Sequence, residues 1–245
     1  MFSFFKKSKT NFEHLQIDFH NHILPGIDDG AKDANDSYNL RIGLQERGFE
    51  KSVYTPHIYT EIHPNNPASI SNAYNTLFQN STYSNAFKND SFAAEYMIDE
   101  NFKNALNSNN PLLCIKDKKV LIEFSTLQLP FFAEETIFNL RLLGYTPIIA
   151  HPERYNYMFN NTTSNLTYTQ LKDMGCELQL NLLSLVGMYG DISKQASIYL
   201  LKNQLYDYAA TDVHNSMHLR YLDKLIQSSI WNKWSKYPFK NQNLI

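Results

Sequence analysis

The stretch Ile17–Gly30, IDFHNHILPGIDDG, gathers two histidines and three aspartates within fourteen residues. Imidazole and carboxylate side chains at this density are the donors a divalent cation takes. A His-x-His pair alone could equally be two core or surface histidines, so the rest of the chain has to decide. Further residues of the same type recur along it: His57 in TPH, Glu95 in AAEYM, Glu123 in VLIEFS, His151 in IIAHPERY, and Asp212 and His214 in TDVHN. Each interrupts or closes a run that otherwise reads as buried. An apolar strand does not carry an unpaired charge without cost. The Pro25-Gly26 turn can bring Asp29 back toward His20 and His22.

Taken singly, each of these groups could be a satisfied buried hydrogen-bonding partner. As a set, His20, His22, Asp29, His57, Glu95, Glu123, His151, Asp212 and His214 are too many for one tetrahedral zinc, which takes three or four ligands. They suit two or three ions with bridging carboxylates. A thiolate-free donor set fits Mn, Fe or Zn. Four carboxylates against three divalent ions leave two positive charges, which matches a phosphate dianion.

The elements that must position these groups read as β-rich runs alternating with helical patterns. Strands are expected at 15–19, 52–55, 92–97, 120–124, 147–150, 177–181 and 207–211. Helices are expected from Asp36 to just before Gly48, over 134–143, over 193–203 and over 219–233, with 80–91 as a surface loop. Glycine just past a periodic segment is the usual helix stop. The alternation predicts an α/β fold with a parallel sheet, and seven strands predict a barrel. Sites in such barrels form at the C-terminal strand ends, where the candidate ligands fall. In IDFHNH, a period of two sets Asp18, His20 and His22 on one face and turns Ile17 and Phe19 toward the helices.

The 245 residues, 43% of them hydrophobic, suffice for one large domain; a formal charge of −2 and a pI near 6.4 argue against nucleic-acid binding. No apolar run approaches the roughly 18–20 residues of a membrane span. The start MFSFFKKSK has its aromatic residues before its lysines, the reverse of a signal peptide, and residues 1–9 could touch a membrane surface peripherally. With two cysteines, Cys114 and Cys176, and no signal peptide, the expected compartment is the cytoplasm. Without secretion the Asn161-Thr-Thr sequon carries no meaning.

The blocks IDFHNHILPGIDDGA, YTPHI, AAEYMIDENF, VLIEFS, PIIAHPERY, QLNLLSLVGMYG and ATDVHN, in this order, resemble the PHP (polymerase and histidinol phosphatase) superfamily. More narrowly they resemble its bacterial protein-tyrosine phosphatases of capsule and exopolysaccharide loci. The resemblance implies a distorted (β/α)7 TIM-like barrel in one domain over 15–245, after an N-terminal extension over 1–14. It implies a Mn2+-preferring multinuclear centre held by the nine residues above. The implied substrate is a phosphotyrosine protein, the tyrosine-rich tail of a membrane-bound kinase that controls polysaccharide export. By the same resemblance Arg154 contacts phosphate, and Arg220 is the candidate for a second phosphate-binding arginine. His214 or Asp212 could assist as general acid. A cysteine nucleophile is excluded, because the position six residues on is Val120 after Cys114 and Leu182 after Cys176, where arginine is required. The alternatives are a histidinol-phosphate phosphatase or another phosphoesterase of the superfamily, an exonuclease, and a non-catalytic metal-binding or kinase-docking module.

Overall fold

Nine short strands among the described residues carry the ligand-bearing segments, and every pair of neighbours runs parallel. The computed structural model describes residues 11–79, 81–106, 110–160 and 166–245. The strands are β1 (Ile17–Asp18), β2 (Lys51–Tyr54), β3 (His57–Ile58), β4 (Ser91–Phe92), β5 (Glu95–Met97), β6 (Lys119–Glu123), β7 (Thr146–Ile149), β8 (Glu177–Asn181) and β9 (Tyr208–Ala210). They form a three-stranded sheet, β1-β2-β4, and a six-stranded sheet, β3-β5-β6-β7-β8-β9. The result is a single-domain α/β fold built on a parallel half-barrel.

The expected run 92–97 is divided between the two sheets, because regular pairing lapses at Ala93-Ala94. Two hydrogen bonds carry the chains across the lapse, Ala93 N to Tyr54 O at 2.8 Å and Glu95 N to Pro56 O at 3.1 Å. Past the ends of β1 and β9 the chains meet in a parallel bridge of Asn21 with Val213. Asp212 N donates to His20 O at 2.7 Å and His22 N to Val213 O at 2.9 Å. Buried Asp18 accepts from Thr211 N at 2.9 Å and Thr211 Oγ1 at 2.7 Å, which clasps the first strand to the last.

Core residues divide by strand face. Val120 and Ile122 pack with Ile137 and Leu140 of the helix Ala133–Leu142, whereas Leu121 joins Val53, Ile148, Ala150 and Ala210 in a second cluster on the opposite face. Ile17 and Phe19 share this second cluster, as the expected alternation has it, but the cluster they join is not the one that meets the helix Ala133–Leu142. Regular strand pairing stops at Asp18, whose carboxylate accepts from Asn21 Nδ2 at 3.0 Å, while His20 and His22 both turn to Glu95 and Asp212.

The helices Ala34–Glu46, Ala133–Leu142 and Asp191–Lys202 lie within a few residues of their expected bounds. The run expected as one helix over 219–233 is two, Ser216–Ile226 and Ser229–Trp234, because Ser228 accepts a hydrogen bond from Trp231 N and caps a new start. The described part of the expected loop 80–91 contains the short helix Ser84–Phe87. Its polarity misled because Asp90 is an interior anion, paired with Arg41 Nε at 2.6 Å and accepting from Ser52 N at 2.8 Å. Ahead of β1, Phe12 is buried against Phe49 and Trp231, with ring centroids at 5.3 and 4.9 Å. The MFSFFKKSK start, Asn80 and Asn161-Thr-Thr lie outside the described residues.

Candidate metal centre

All nine expected ligand side chains converge where the strands end. Glu95, on β5, is the hub: its Oε2 lies 3.2 Å from His20 Nε2, 3.4 Å from His22 Nε2 and 3.1 Å from His57 Nδ1, and its Oε1 lies 3.1 Å from His151 Nε2. Asp212 Oδ1 sits 3.3 Å from both His20 Nε2 and His22 Nε2 and 3.5 Å from His214 Nδ1. Glu123 Oε1, at the end of β6, is 3.0 Å from His57 Nδ1. Asp29 Oδ1 completes the rim at 3.3 Å from His214 Nε2 and 3.6 Å from His57 Nε2.

The nine fall into four overlapping groups whose donor atoms lie within 4.8 Å of one another: His22-Asp29-His57-His214, His20-His22-Glu95, His20-His151-Asp212 and His57-Glu95-Glu123. Sharing of His20, His22, His57 and Glu95 between groups is what a cluster of ions requires and a single ion does not. His20 Nε2, His22 Nε2, His57 Nδ1, His151 Nδ1 and Glu95 Oε2 are buried without a hydrogen bond. Buried polar atoms are rarely left so, and the donor set therefore fits divalent cations.

Local backbone shapes serve this convergence. His151 and Asp212 adopt the left-handed region, with φ of 34° and 52°, where non-glycine residues are strained and tend to mark functional sites. The turn after His22 folds back on itself, with Ala31 N bonded to His22 O at 2.9 Å. A Cβ at Gly30 would stand 2.0 Å from His22 O, so only glycine closes this loop.

Several residues that orient the ligands were not singled out in the sequence. Asp28 Oδ2 is 2.7 Å from His22 Nδ1, and Gln179 Oε1 is 2.9 Å from His20 Nδ1; such outer partners fix ring orientation. Buried Glu153 anchors the HPERY segment by accepting from Asn181 N at 3.0 Å, Ser184 Oγ at 2.7 Å and Tyr206 Oη at 2.8 Å. Asn181 Nδ2 donates to Asp212 Oδ2 at 2.8 Å and to Tyr189 Oη at 3.1 Å. Asp28 adjoins an expected ligand, and His218, whose Nδ1 lies 3.1 Å from Asp212 O, follows His214 by four residues, so these two had a readable signal. Gln179, Asn181 and Tyr189 are neutral and had none.

Arg154 reaches the centre: Nη1 is 3.1 Å from Asp212 Oδ2, and the guanidinium lies 4.4 Å from the centroid of the Tyr189 ring. Together with Asp29, His57, Glu123 and His214 it lines an open cleft of about 250 Å³. Arg220 does not line that cleft. It is exposed on the helix Ser216–Ile226, where His218 and Leu219 occupy the buried face. Two residues advance a helix by about 200°, so with His218 inward Arg220 points out. His218 takes the place at the cleft.

Burial and the neighbouring His22 disfavour a proton on His57, but Glu123 and Glu95 outweigh them and hold its pKa up at about 10. Burial likewise opposes protonation of His22, and the Asp28 and Asp212 carboxylates hold it well above the usual range. Burial alone would raise Glu95; His20 and His57 hold it well below. Without metal, protons therefore occupy the centre. The folded pKa of His57 exceeds the ordinary value of about 6.5, so its protonated form stabilises the metal-free fold fully below that pH, and the contribution is lost as pH rises toward 10. The chelated protein should lose thermal stability between pH 7 and 10. Calorimetry of Mn2+ binding at pH 7 in buffers of different ionisation enthalpy should also read proton release. A stability flat over that range together with no released proton would mean neutral histidines.

Residues 16–225 match the family model described as capsular polysaccharide synthesis, CpsB/CapC. The chain belongs to the CpsB/CapC family. Tyrosine-protein phosphatase YwqE of Bacillus subtilis (strain 168) is 33% identical over 200 residues, 81% of this chain and 77% of YwqE. Tyrosine-protein phosphatase CpsB of Streptococcus pneumoniae is 27% identical over 207 residues, 81% of this chain and 83% of CpsB. A solved structure from work on YwqE and CpsB, described as metal-dependent tyrosine phosphatases, aligns with a TM-score of 0.75 at 28% identity and covers 93% of each chain.

Proposed function

We propose that this CpsB/CapC chain is a metal-dependent protein-tyrosine phosphatase, and that the strand segments form a distorted (β/α)7 barrel around its centre. The observation that carries the reading is the coincidence, in one cleft, of a shared His/carboxylate cluster with the guanidinium of Arg154. His20, His22, Asp29, His57, Glu95, Glu123, His151, Asp212 and His214 would hold two or three divalent cations, Mn2+ in preference to Fe or Zn. Bound there, such ions would supply water activation and charge neutralisation for phosphoryl transfer.

The chain's own groups do the rest. Arg154 holds non-bridging phosphate oxygens with a planar, permanently charged fork, steadied by Asp212 on one edge and the Tyr189 face on the other. Asp28 and Gln179 keep His22 and His20 turned to the centre. The phenolate of tyrosine has a pKa of about 10 and leaves with little protonation, about 6 units better than an alkoxide. The substrate in the cell would be the tyrosine-rich tail of a membrane-bound kinase controlling capsule or exopolysaccharide synthesis, met in the cytoplasm. No helix among the described residues is long and apolar enough to cross a membrane.

A phosphotyrosine peptide should show a far higher kcat/KM than histidinol phosphate or a phosphoserine peptide under identical Mn2+. A preference for histidinol phosphate would move the chain to amino-acid biosynthesis while leaving the metal centre intact. Neither cysteine lines the cleft, and burial pushes the Cys176 thiol up to about 12, leaving no thiolate at neutral pH. Cys114→Ser combined with Cys176→Ser should therefore retain activity per folded molecule, and loss of turnover would overturn the assignment.

A further inference from the structure

We propose that the groove beside the metal centre docks the polypeptide flanking the phosphotyrosine, and that it selects apolar or aromatic residues accompanied by lysine or arginine. This rests on the phosphatase reading. The groove, about 700 Å³, has Leu127 and Phe131 in its lining together with Glu61, Asp99 and Glu100. Leu127 and Phe131 are 88% and 91% exposed, among the most exposed large apolar side chains of the described residues. Large apolar side chains left in water beside a groove mark an interaction site.

The groove neighbours the cleft. Ile98, which lines it, donates its N–H to the carbonyl of Glu123, a cleft residue, at 2.9 Å. Glu61 lies two residues before His63, whose ring stacks on that of His57 at 5.3 Å. A chain placing its phosphotyrosine at Arg154 therefore has this groove within reach of its neighbouring residues. The wall is held in place: Ser125 O accepts from Tyr157 Oη at 2.9 Å, Leu127 N donates to Ser125 Oγ at 3.2 Å, and Phe131 packs edge-on to buried Phe132 at 4.9 Å.

Charge separates the two ends of such a substrate. The cleft carries Arg154 and the cation ligands, suited to the phosphate dianion. Every charged residue lining the groove is acidic, so it favours basic flanks and disfavours a second phosphate nearby. A small aryl phosphate reaches the cleft without touching the groove, and this gives the test its control.

Steady-state kinetics of the Mn2+-loaded full chain would use p-nitrophenyl phosphate, a phosphotyrosine peptide with Lys, Phe and Leu flanks, and the same peptide with Gly-Ser flanks. Leu127→Ser with Phe131→Ser should lower kcat/KM for the Lys/Phe/Leu peptide about tenfold or more, through KM. The other two substrates should stay within about twofold. Glu61→Lys with Glu100→Lys should likewise weaken the basic peptide alone. Anisotropy of the labelled, unphosphorylated Lys/Phe/Leu peptide reads docking without turnover. Binding by the wild type but not by the Ser variant, with nothing hydrolysed, would support the groove while the phosphatase reading fails. Equal loss on p-nitrophenyl phosphate, indifference to the flanks, or a wild-type dimer that the Ser variant turns into a monomer would each overturn the proposal.

Discussion

Glu95→Ala should abolish catalysis by about 10³-fold or more in kcat and strip metal from the protein. The carboxylate is fully buried and lies within 3.4 Å of four histidines, and it belongs to two of the four donor groups. Its removal disturbs more than one ion. Metal-ion stabilisation of the transition state is worth several kcal/mol, and about 4 kcal/mol corresponds to roughly 10³-fold. Loss of the carboxylate also leaves His20, His22, His57 and His151 without their common partner, so the metal-free variant should melt earlier than metal-free wild type at pH 7. Glu95→Gln preserves the shape and separates the lost charge from the cavity. Elemental analysis beside kcat decides the matter: full metal occupancy in both variants would show that Glu95 is not a ligand.

Arg154→Ala should lower kcat/KM for a phosphotyrosine peptide by about 30- to 1000-fold, the equivalent of ~2–4 kcal/mol for a charge-assisted contact to the reacting phosphoryl group. Metal content should stay at the wild-type value, because Arg154 touches Asp212 through Oδ2 while Oδ1 faces His20 and His22. Arg154→Lys should recover little, since an ammonium cannot span two phosphate oxygens or stack as the guanidinium does on Tyr189. Wild-type kinetics in Arg154→Ala would reduce the residue to an ion pair with Asp212.

Most candidate ligands were legible because they interrupt or close a buried run with a group that apolar surroundings do not tolerate alone, whereas Asp29 rested on the turn after His22. Glu123 ending VLIE and His151 following TPII are of this kind. The sheet order was less legible. The run 92–97 has no polar residue between Phe92 and Glu95 to announce the lapse at Ala93-Ala94. Arg220 was placed by distance along the chain, whereas its direction depends on where its helix begins. Asn215 caps that helix by accepting from Met217 N and His218 N, and this start fixes His218 inward and Arg220 outward. The second helix at Ser229 was hidden for a related reason. Leu222, Leu225 and Trp231 keep an apolar face across the break, and the capping role of Ser228 shows only in its hydrogen bond to Trp231 N. Asp28 and Asp29 are neighbours of identical type, and only the folded loop assigns one to the His22 ring and the other to the rim.

If catalysis depends on divalent ions held by the His/carboxylate cluster, stripping the protein with a chelator and titrating Mn2+ back should show it, with bound metal and phosphotyrosine-peptide hydrolysis followed on the same samples. The stripped protein should show no turnover, and activity should return as two to three ions bind per chain. Full turnover by the stripped protein would contradict that dependence.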